Sequence, residues 1–245
     1  MQSDIELYAR SYGVGDISDE PFFDVKAALA SLTNDQKILV NQNRRQQVKW
    51  QFYLNALDFL SDSGIQGDYF EFGCHKARTF RMAMAAYRFF NMSAEFLAFD
   101  SFEGLPSGME GRGVHWKTGA LSTSEVRFRE LLVESGFSLD KVRTVPGFYA
   151  ESLNEALRKD LGKLKANLVT VDCDYYESAV DVFNFVEPYL QYGSVIYLDD
   201  VFGGFTTGRN GGVLRAFEEF KARSTFSFVD HLSIGWWGRS YIAYQ

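Results

Sequence analysis

The 245-residue sequence has few cysteines and no long apolar run. Its two cysteines, Cys74 and Cys173, lie in segments with strand character rather than in loops, so the pattern does not indicate a disulfide framework. No stretch approaches the ~18 consecutive apolar residues of a membrane span, and the first residues lack the basic and apolar regions of a signal peptide. We therefore expect free thiols, a reducing compartment and a cytoplasmic protein with no membrane partner.

Basic residues are in the minority, which gives a net charge of −7 and an isoelectric point near 5.1. Such a balance disfavours nucleic acid and anionic lipid as partners, because neither would be attracted electrostatically. Internal repeats and low-complexity segments are also missing. With 46% apolar residues, the chain can bury the core of one large domain.

Two segments in the second half have the composition of strands that end on acids. These are Asn167 to Asp172 and Val195 to Asp200, and Glu177 to Leu190 between them has helical apolar spacing. A strand-helix-strand unit places parallel strands close together, so their carboxyl ends meet at one edge of the sheet, where open α/β folds bind ligands. Carboxylates gathered there repel one another unless a cation lies among them. We interpret the following set as a divalent metal site: Asp172, Asp174, Asp199 and Asp200.

The order of apolar segments predicts an α/β protein with a mainly parallel sheet, a late antiparallel strand and helices on both faces. Residues 1–66 contain no clear strand and are predicted to form an N-terminal helical cap, and residues 67–245 a single compact unit. The cap is expected to contain three helices: Asp24 to Leu32, Asn34 to Asn41 and Gln46 to Leu60. The late strands are expected at Phe226 to His231 and Ser240 to Tyr244.

The first two predicted strands, Gly67 to Gly73 and Glu95 to Asp100, also have the features of a nucleotide site. Glycine at a strand end lets the backbone approach a ligand, and an acid at the end of the second strand can accept both hydroxyls of a ribose. The GxGxxG spacing of dinucleotide sites is absent, since Ala77 and Arg78 follow instead. Beyond Pro106 the sequence up to Ser122 lacks apolar periodicity, and we expect an active-site lid there.

At this point the motifs resemble those of the macrocin O-methyltransferase (TylF-like) family, which is S-adenosylmethionine-dependent and metal-dependent. The resemblance covers roughly residues 65–245. It departs from the family pattern at Ala77 or Arg78, where a glycine is usual. The matching motifs, in order, are FEFG at 70–73, FDSFEGLP at 99–106, VPGFYAESL at 145–153, VDCDYYES at 171–178 and YLDD at 197–200.

The resemblance implies a Rossmann-like class I methyltransferase fold and transfer of a methyl group from S-adenosylmethionine to a hydroxyl of a sugar or secondary-metabolite acceptor. It implies Mg²⁺, or another divalent cation, as second cofactor. The metal ligands would be Asp172, Asp199 and Asp200, with Asp174 in reserve. The residues expected to bind the cofactor are Glu71, Gly73, Asp100, Ser101 and Phe102.

The general base is open among three residues. Asp172 could take the hydroxyl proton, and His115 in the predicted lid and His231 near a strand end are alternatives that titrate near neutrality. The acceptor pocket is expected to include Trp236, Trp237 and Arg239, although two tryptophans here fit a core equally well.

Three other functions are compatible with parts of the sequence. A nicotinamide-dependent oxidoreductase is disfavoured by the missing GxGxxG and by carboxylates where a pyrophosphate would be repelled. A metal-independent methyltransferase with a histidine base and a non-catalytic S-adenosylmethionine-binding protein of the same fold stay open. The identity of the acceptor and the oligomeric state, including a homo-oligomer, are not fixed by the sequence.

Overall fold

The computed structural model describes residues 33–107, 117–202 and 212–245. The predicted helix at 24–32 lies outside them. The described helices are α1 (Asn34–Asp62), α2 (Arg78–Phe89), α3 (Glu125–Glu134), α4 (Tyr149–Ser152), α5 (Glu155–Leu161), α6 (Tyr176–Val186) and α7 (Val213–Arg223), with a short 3₁₀ helix at Glu187–Tyr189. The strands are β1 (Asp68–Phe72), β2 (Phe96–Asp100), β3 (Val142–Pro146), β4 (Ala166–Val171), β5 (Val195–Leu198), β6 (Ser227–Ile234) and β7 (Gly238–Tyr244).

These strands form one sheet in the order β3-β2-β1-β4-β5-β7-β6. The pairs among β1 to β5 are parallel, and β7 runs antiparallel to both β5 and β6. The order reverses between β1 and β4, which is the point where open α/β sheets bind ligands. The predicted fold class is therefore confirmed.

By its internal contacts the chain divides into residues 1–45 and residues 46–245. In the second unit, the rest of α1 shares a buried apolar cluster with α2 and α3 on one face of the sheet. The other face is covered mainly by α6 and α7. Every residue of β4 is buried, as expected for a parallel strand covered on both sides. Residues 46–62 thus pack with the sheet, earlier in the chain than the boundary expected after residue 66. None of the helices in the described ranges is long and apolar enough to cross a bilayer.

Helix α1 is one continuous helix of 29 residues, where two helices were expected. Its start is specified locally: the Thr33 amide donates to Gln36 Oε1 at 2.9 Å and the Gln36 amide to Thr33 Oγ1 at 3.3 Å, which is a capping box. The residues at the expected break, Gln42 to Arg45, are polar but include no glycine or proline. A polar stretch without a helix breaker is a solvent-exposed part of a helix and does not end it.

Residues 149–161 form two short helices, α4 and α5, rather than one continuous helix. Asn154 begins the second, because its side chain accepts from the amide of Leu157 at 3.0 Å. Strand β6 also extends further than predicted, to Ile234, which places His231 inside the strand rather than at its end.

Candidate active site

The register of the parallel strands places the motif residues side by side. Phe72 of β1 is paired with Phe99 of β2 and Val171 of β4, and Val171 is paired with Leu198 of β5. The residues that come directly after these paired positions are aligned along one edge of the sheet, at the ~4.8 Å spacing of neighbouring strands. In order across the sheet they are Asp100, Gly73, Asp172 and Asp199.

Three carboxylates meet at the ends of β4 and β5. Asp172, Asp199 and Asp200 each offer an oxygen, and these oxygens all lie within 4.8 Å of one another. Burial, followed by the charge of Asp199, raises the pKa of Asp172 well above its ordinary range. The pKa of Asp174 is raised in the same way, by burial and then by Asp200, with which it shares a hydrogen bond. The residue types and proximity are those of a site for a hard cation, because Mg²⁺ prefers carboxylate oxygens.

The backbone turns sharply beside this cluster. Asp174 has φ of +61° and Asp200 has φ of +51°, which is the left-handed region. Aspartate tolerates that region better than most residues, because its short polar side chain can bond locally. The left-handed backbone at these two positions is therefore compatible with aspartate, whose carboxylate is also the kind of ligand that a hard cation would bind.

Lys49 of α1 reaches into the same cluster. Its ammonium donates to Asp199 Oδ2 at 2.7 Å and to Asp172 Oδ2 at 3.3 Å, and the residue is only 8% exposed. Burial by itself would lower the pKa of Lys49, but the charges of Asp172 and Asp199 outweigh it, and the pKa is raised. Lys49 is thus a buried cation in contact with two of the proposed metal ligands.

Packing of α1 against β5 fixes this arrangement. The ring of Phe52 lies on that of Tyr197, with 4.7 Å between the centroids. The hydroxyl of Tyr197 in turn donates to Asp199 Oδ1 at 2.5 Å. Both oxygens of Asp199 therefore have a protein partner, and the carboxylate is held by the strand below it and the helix beside it.

Gly73 and Asp100 form the other half of the edge. Gly73 has φ of +89°, and a Cβ there would lie 1.9 Å from the carbonyl oxygen of Asp172. Glycine is required because the ends of β1 and β4 touch backbone to backbone. Asp100 Oδ2 accepts from the amides of Cys74 and His75 at 2.7 and 3.1 Å, so this carboxylate orders the loop that follows Gly73.

Ser101 and Phe102 form the turn after β2. The Phe102 amide donates to Asp100 Oδ1 at 2.8 Å, and Ser101 Oγ donates to the carbonyl of Gly104 at 2.8 Å. The Phe102 side chain is 8% exposed and packs edge-on against Phe128. The expectation that Phe102 flanks an adenine stays a prediction, and in this structure its ring is part of the core.

Glu71 lies one layer below the edge and is fully buried. Its carboxyl accepts from the hydroxyls of Tyr69 and Thr79, the latter at 2.7 Å. Burial, only partly offset by those hydrogen bonds, raises the pKa of Glu71 to about 8. The carboxyl faces the layer of α1 and α2, and its contact with the cofactor stays a prediction.

The two predicted histidine bases differ in position. His115 lies outside the described residues. His231 lies on β6, which β7 separates from β5, and its Nδ1 is 3.2 Å from Ser240 Oγ while its ring packs against Phe59. The structure therefore does not bring His231 to the carboxylates. His75, which the sequence reasoning passed over, lies at the end of β1 with Nδ1 2.5 Å from the carbonyl of Leu121.

The tryptophan pair stands next to the acid cluster. The amide of Val201, the residue after Asp200, donates to the carbonyl of Trp237 at 2.8 Å. Trp237 is 2% exposed and belongs to the core, whereas Trp236 is 57% exposed. The guanidinium of Arg239 lies over the ring of Phe202, 5.2 Å from its centroid. Trp236 is thus the tryptophan of the pair that an acceptor could contact.

The segment predicted as a lid is anchored at both ends. The amide of Leu105 donates to the carbonyl of Ala120, and the amide of Gly119 to that of Leu105, both at 2.9 Å. Residues 108–116 between these anchors lie outside the described residues, so the predicted lid stays an expectation.

Sequence reasoning missed Lys49, and a signal for it was present. Lys49 precedes Tyr53 and Leu57 at steps of four, and both of these side chains are fully buried. A lysine that falls on the apolar stripe of a helix needs a buried anion as partner. The acids were predicted to gather on the sheet, but nothing in the sequence said which helix would cover them.

The comparisons with known proteins agree with this architecture. The model of the macrocin O-methyltransferase (TylF) family matches residues 39–238. The solved structure of the O-methyltransferase NovP is 18% identical and has a TM-score of 0.66, over 81% of this chain and 80% of that one. The calicheamicin methyltransferase CalS11 is 17% identical with a TM-score of 0.68, over 93% of this chain and 99% of that one.

A third solved structure is the O-methyltransferase TomG from Streptomyces achromogenes, in complex with SAM. It is 13% identical with a TM-score of 0.53, over 90% of this chain and 94% of that one. At these identities the solved structures support the fold alone. No curated protein matches the chain by sequence. The family match covers most of the chain, includes the end of every parallel strand and coincides with a methyltransferase fold, so the chain belongs to the macrocin O-methyltransferase (TylF) family of S-adenosylmethionine-dependent O-methyltransferases.

Proposed function

We propose that the protein methylates a hydroxyl group of a small molecule with S-adenosylmethionine as donor and Mg²⁺ at the acid cluster. The observation that carries this proposal is the alignment of two half-sites along one edge of the sheet. Gly73 and Asp100 occupy one half, and Asp172 and Asp199 the other. A donor held by the first half and an acceptor held by the second would meet beside Asp172.

The cofactor half has features suited to an adenosine. Gly73 forms the turn at the end of β1, where its backbone lies against that of Asp172, and Asp100 is the acid at the end of β2. S-adenosylmethionine, when bound, supplies a methyl group on a positively charged sulfur. The Asp100 carboxylate is half-buried and already accepts backbone amides, so it is pre-oriented and loses little freedom when it accepts ribose hydroxyls.

In the acid half, Asp172, Asp199 and Asp200 would hold the metal, which would orient the acceptor oxygen and make it more acidic. Asp172 is the carboxylate next to Gly73, and 23% of its side chain is exposed. These observations support Asp172 as the group that would accept the hydroxyl proton as the methyl group moves from sulfur to oxygen. Asp199 would be held in place by the hydroxyl of Tyr197, which donates to its Oδ1.

One observation favours a second candidate function, a metal-independent methyltransferase. The Lys49 ammonium already supplies positive charge between Asp172 and Asp199. In that case Asp172 would act as base with Lys49 as its only cationic partner among the described residues. Of the two histidines proposed earlier for this alternative, His231 contacts Ser240 and Phe59 rather than the acids.

We further propose that the acceptor is a sugar or a secondary-metabolite ring. The structural neighbour CalS11 is a TDP-rhamnose 3'-O-methyltransferase of calicheamicin biosynthesis. In this chain, the exposed indole of Trp236 lies in the turn between β6 and β7 and directly precedes Trp237, whose carbonyl accepts from the amide of Val201. An aromatic surface beside a polar cluster suits a ring that carries hydroxyls.

The test is methyl transfer from labelled S-adenosylmethionine to TDP-rhamnose and to a panel of other nucleotide sugars and phenols. Each reaction is run as purified, after EDTA, and after Mg²⁺ is restored. We expect EDTA to stop turnover and Mg²⁺ to restore it, while calorimetry shows that S-adenosylmethionine still binds in EDTA. Full activity in EDTA would overturn the role of the metal and favour the metal-independent candidate.

A further inference from the structure

The feature with the most consequence outside the predicted motifs is the position of the Lys49 ammonium. It contacts Oδ2 of both Asp172 and Asp199, at 3.3 and 2.7 Å. These are two of the three residues whose oxygens could hold a metal ion. A protein cation and a divalent ion would thus draw on the same two carboxylates.

The position of Lys49 follows from the packing of α1 and is not that of a solvent-exposed lysine. The next turns of the helix bury Phe52, Tyr53 and Leu57, all at most 2% exposed. Tyr53 is tied to the sheet by its hydroxyl, which is 3.0 Å from Thr170 Oγ1 on β4. Movement of the lysine backbone would break these contacts, so only the flexible side chain is free to leave the acids.

We propose that Lys49 is a tethered competitor for the divalent cation: its ammonium neutralises Asp172 and Asp199 in the metal-free protein and must leave those oxygens when the metal binds. This inference rests on the metal site of the proposed function. If Lys49 competes with the metal, the affinity of the site for the metal depends on helix α1 as well as on the acids of the sheet.

Two physical arguments support competition. Two cations that share the same pair of oxygens repel each other, and the repulsion is strong where water is scarce. Buried carboxylates without any counter-ion are also costly, so the metal-free protein needs Lys49 where it is. The lysine stem has four rotatable bonds, so the ammonium can swing away while the helix stays in place.

The main experiment measures binding of Mn²⁺ by calorimetry, without S-adenosylmethionine, to the wild type and to Lys49→Met. Methionine keeps an unbranched apolar stem and removes the charge. If the ammonium of Lys49 lies on the acids in more than about nine-tenths of the molecules, the apparent affinity for the metal is at least about tenfold weaker than it is without Lys49. We therefore expect Lys49→Met to bind Mn²⁺ at least about tenfold more tightly, and Mn²⁺ to raise its Tm more than that of the wild type.

The matched control is Lys163→Met, which removes one positive charge from an exposed position. It should bind Mn²⁺ like the wild type, which separates a local effect from the change in net charge. Equal affinity in the wild type and Lys49→Met would overturn the competition and leave the metal site standing. Binding in neither would overturn the metal site and the competition together. Binding only in Lys49→Met would support the competition and overturn a metal role in the wild type.

Lys49→Met leaves buried carboxylates without a cation and could unfold. A second experiment therefore tests displacement of Lys49 by the metal in the wild-type protein. An amine-reactive reagent is applied with and without saturating Mn²⁺, and modification of each lysine is measured by mass spectrometry. We expect Mn²⁺ to increase modification of Lys49 and to leave that of Lys163 unchanged. Unchanged or reduced modification of Lys49 while calorimetry shows bound Mn²⁺ would overturn the inference, because the ammonium would then not have left the acids.

Discussion

At the scale of the residue, Glu71 is unusual because its carboxyl is fully buried. Glu71 is a carboxyl held by the hydroxyls of Tyr69 and Thr79 in a fully buried layer. Burial raises its pKa from 4.5 to about 8. The folded protein therefore binds a proton more tightly than the unfolded chain does, so stability due to this group is greatest at low pH and declines as the pH rises between those two values.

We predict that Glu71→Gln removes this decline. Glutamine resembles the protonated carboxyl and cannot ionise, so the variant should lose less stability than the wild type between pH 5 and pH 8, by about 3 kcal/mol. Urea unfolding at a series of pH values measures the difference. Glu95→Gln, which changes an exposed carboxyl, should behave like the wild type. Parallel stability curves for Glu71→Gln and the wild type would contradict the prediction.

Gly73 gives a second prediction at this scale. Alanine there would combine a left-handed backbone with a Cβ 1.9 Å from the carbonyl oxygen of Asp172. We expect Gly73→Ala to lower the free energy of unfolding by about 3 kcal/mol or more, since backbone cannot yield as a side chain does.

The control for this change is Gly64→Ala, which has φ of +68° but nothing within 4 Å of the added Cβ. It should cost only about 1 kcal/mol, the effect of the left-handed backbone alone. Denaturation of the two variants, measured side by side, isolates the contact between the ends of β1 and β4. Equal losses in both would show that this contact is not tight in solution.

At the scale of the element, the turn between β6 and β7 brings Trp236 to the acid end of the sheet. We predict that Trp236→Ala raises KM for the acceptor by about tenfold while kcat changes less, because the indole would bind the ground state and the transition state alike. Tyr192→Ala, an equally exposed aromatic residue just before β5, should leave both constants unchanged. A fall in kcat at unchanged KM would mean that Trp236 acts on the reacting centre instead.

The strands of the sheet could be predicted from the sequence more fully than the helices that cover them. Alternation of strands and helices, and the acids at strand ends, follow from composition and periodicity, so the edge with Asp100, Asp172 and Asp199 was predictable. The continuous helix α1 was not, because Gln42 to Arg45 is polar without being a helix breaker. The contact of Lys49 with the acids was not predictable either, since it depends on which helix covers which part of the sheet.

At the scale of the whole molecule, the proposed mechanism assigns the cofactor to one half of the edge and the metal to the other, so the two can be tested separately. We predict that Asp200→Asn lowers kcat at least about 100-fold while the affinity for S-adenosylmethionine, measured by calorimetry, is unchanged. Asparagine tolerates the left-handed backbone at this position, so the fold should persist.

Removal of the proposed metal is the matching treatment of the wild type. EDTA should reproduce the loss of turnover, and Mg²⁺ should reverse it in the wild type but not in Asp200→Asn. Loss of cofactor affinity together with activity in either case would indicate a structural ion rather than a catalytic one.

The site joins parts of the chain that are far apart in sequence: Lys49 precedes Asp172 by 123 positions and Asp199 by 150. The acids belong to the sheet, whereas the cation arrives with a helix that lies before the first strand. The two can therefore change independently during evolution. A change in the segment before Asp68 would keep every carboxylate and alter the counter-charge, so under the proposed metal role the ion preference of this protein could change without any substitution in the motifs of the sheet.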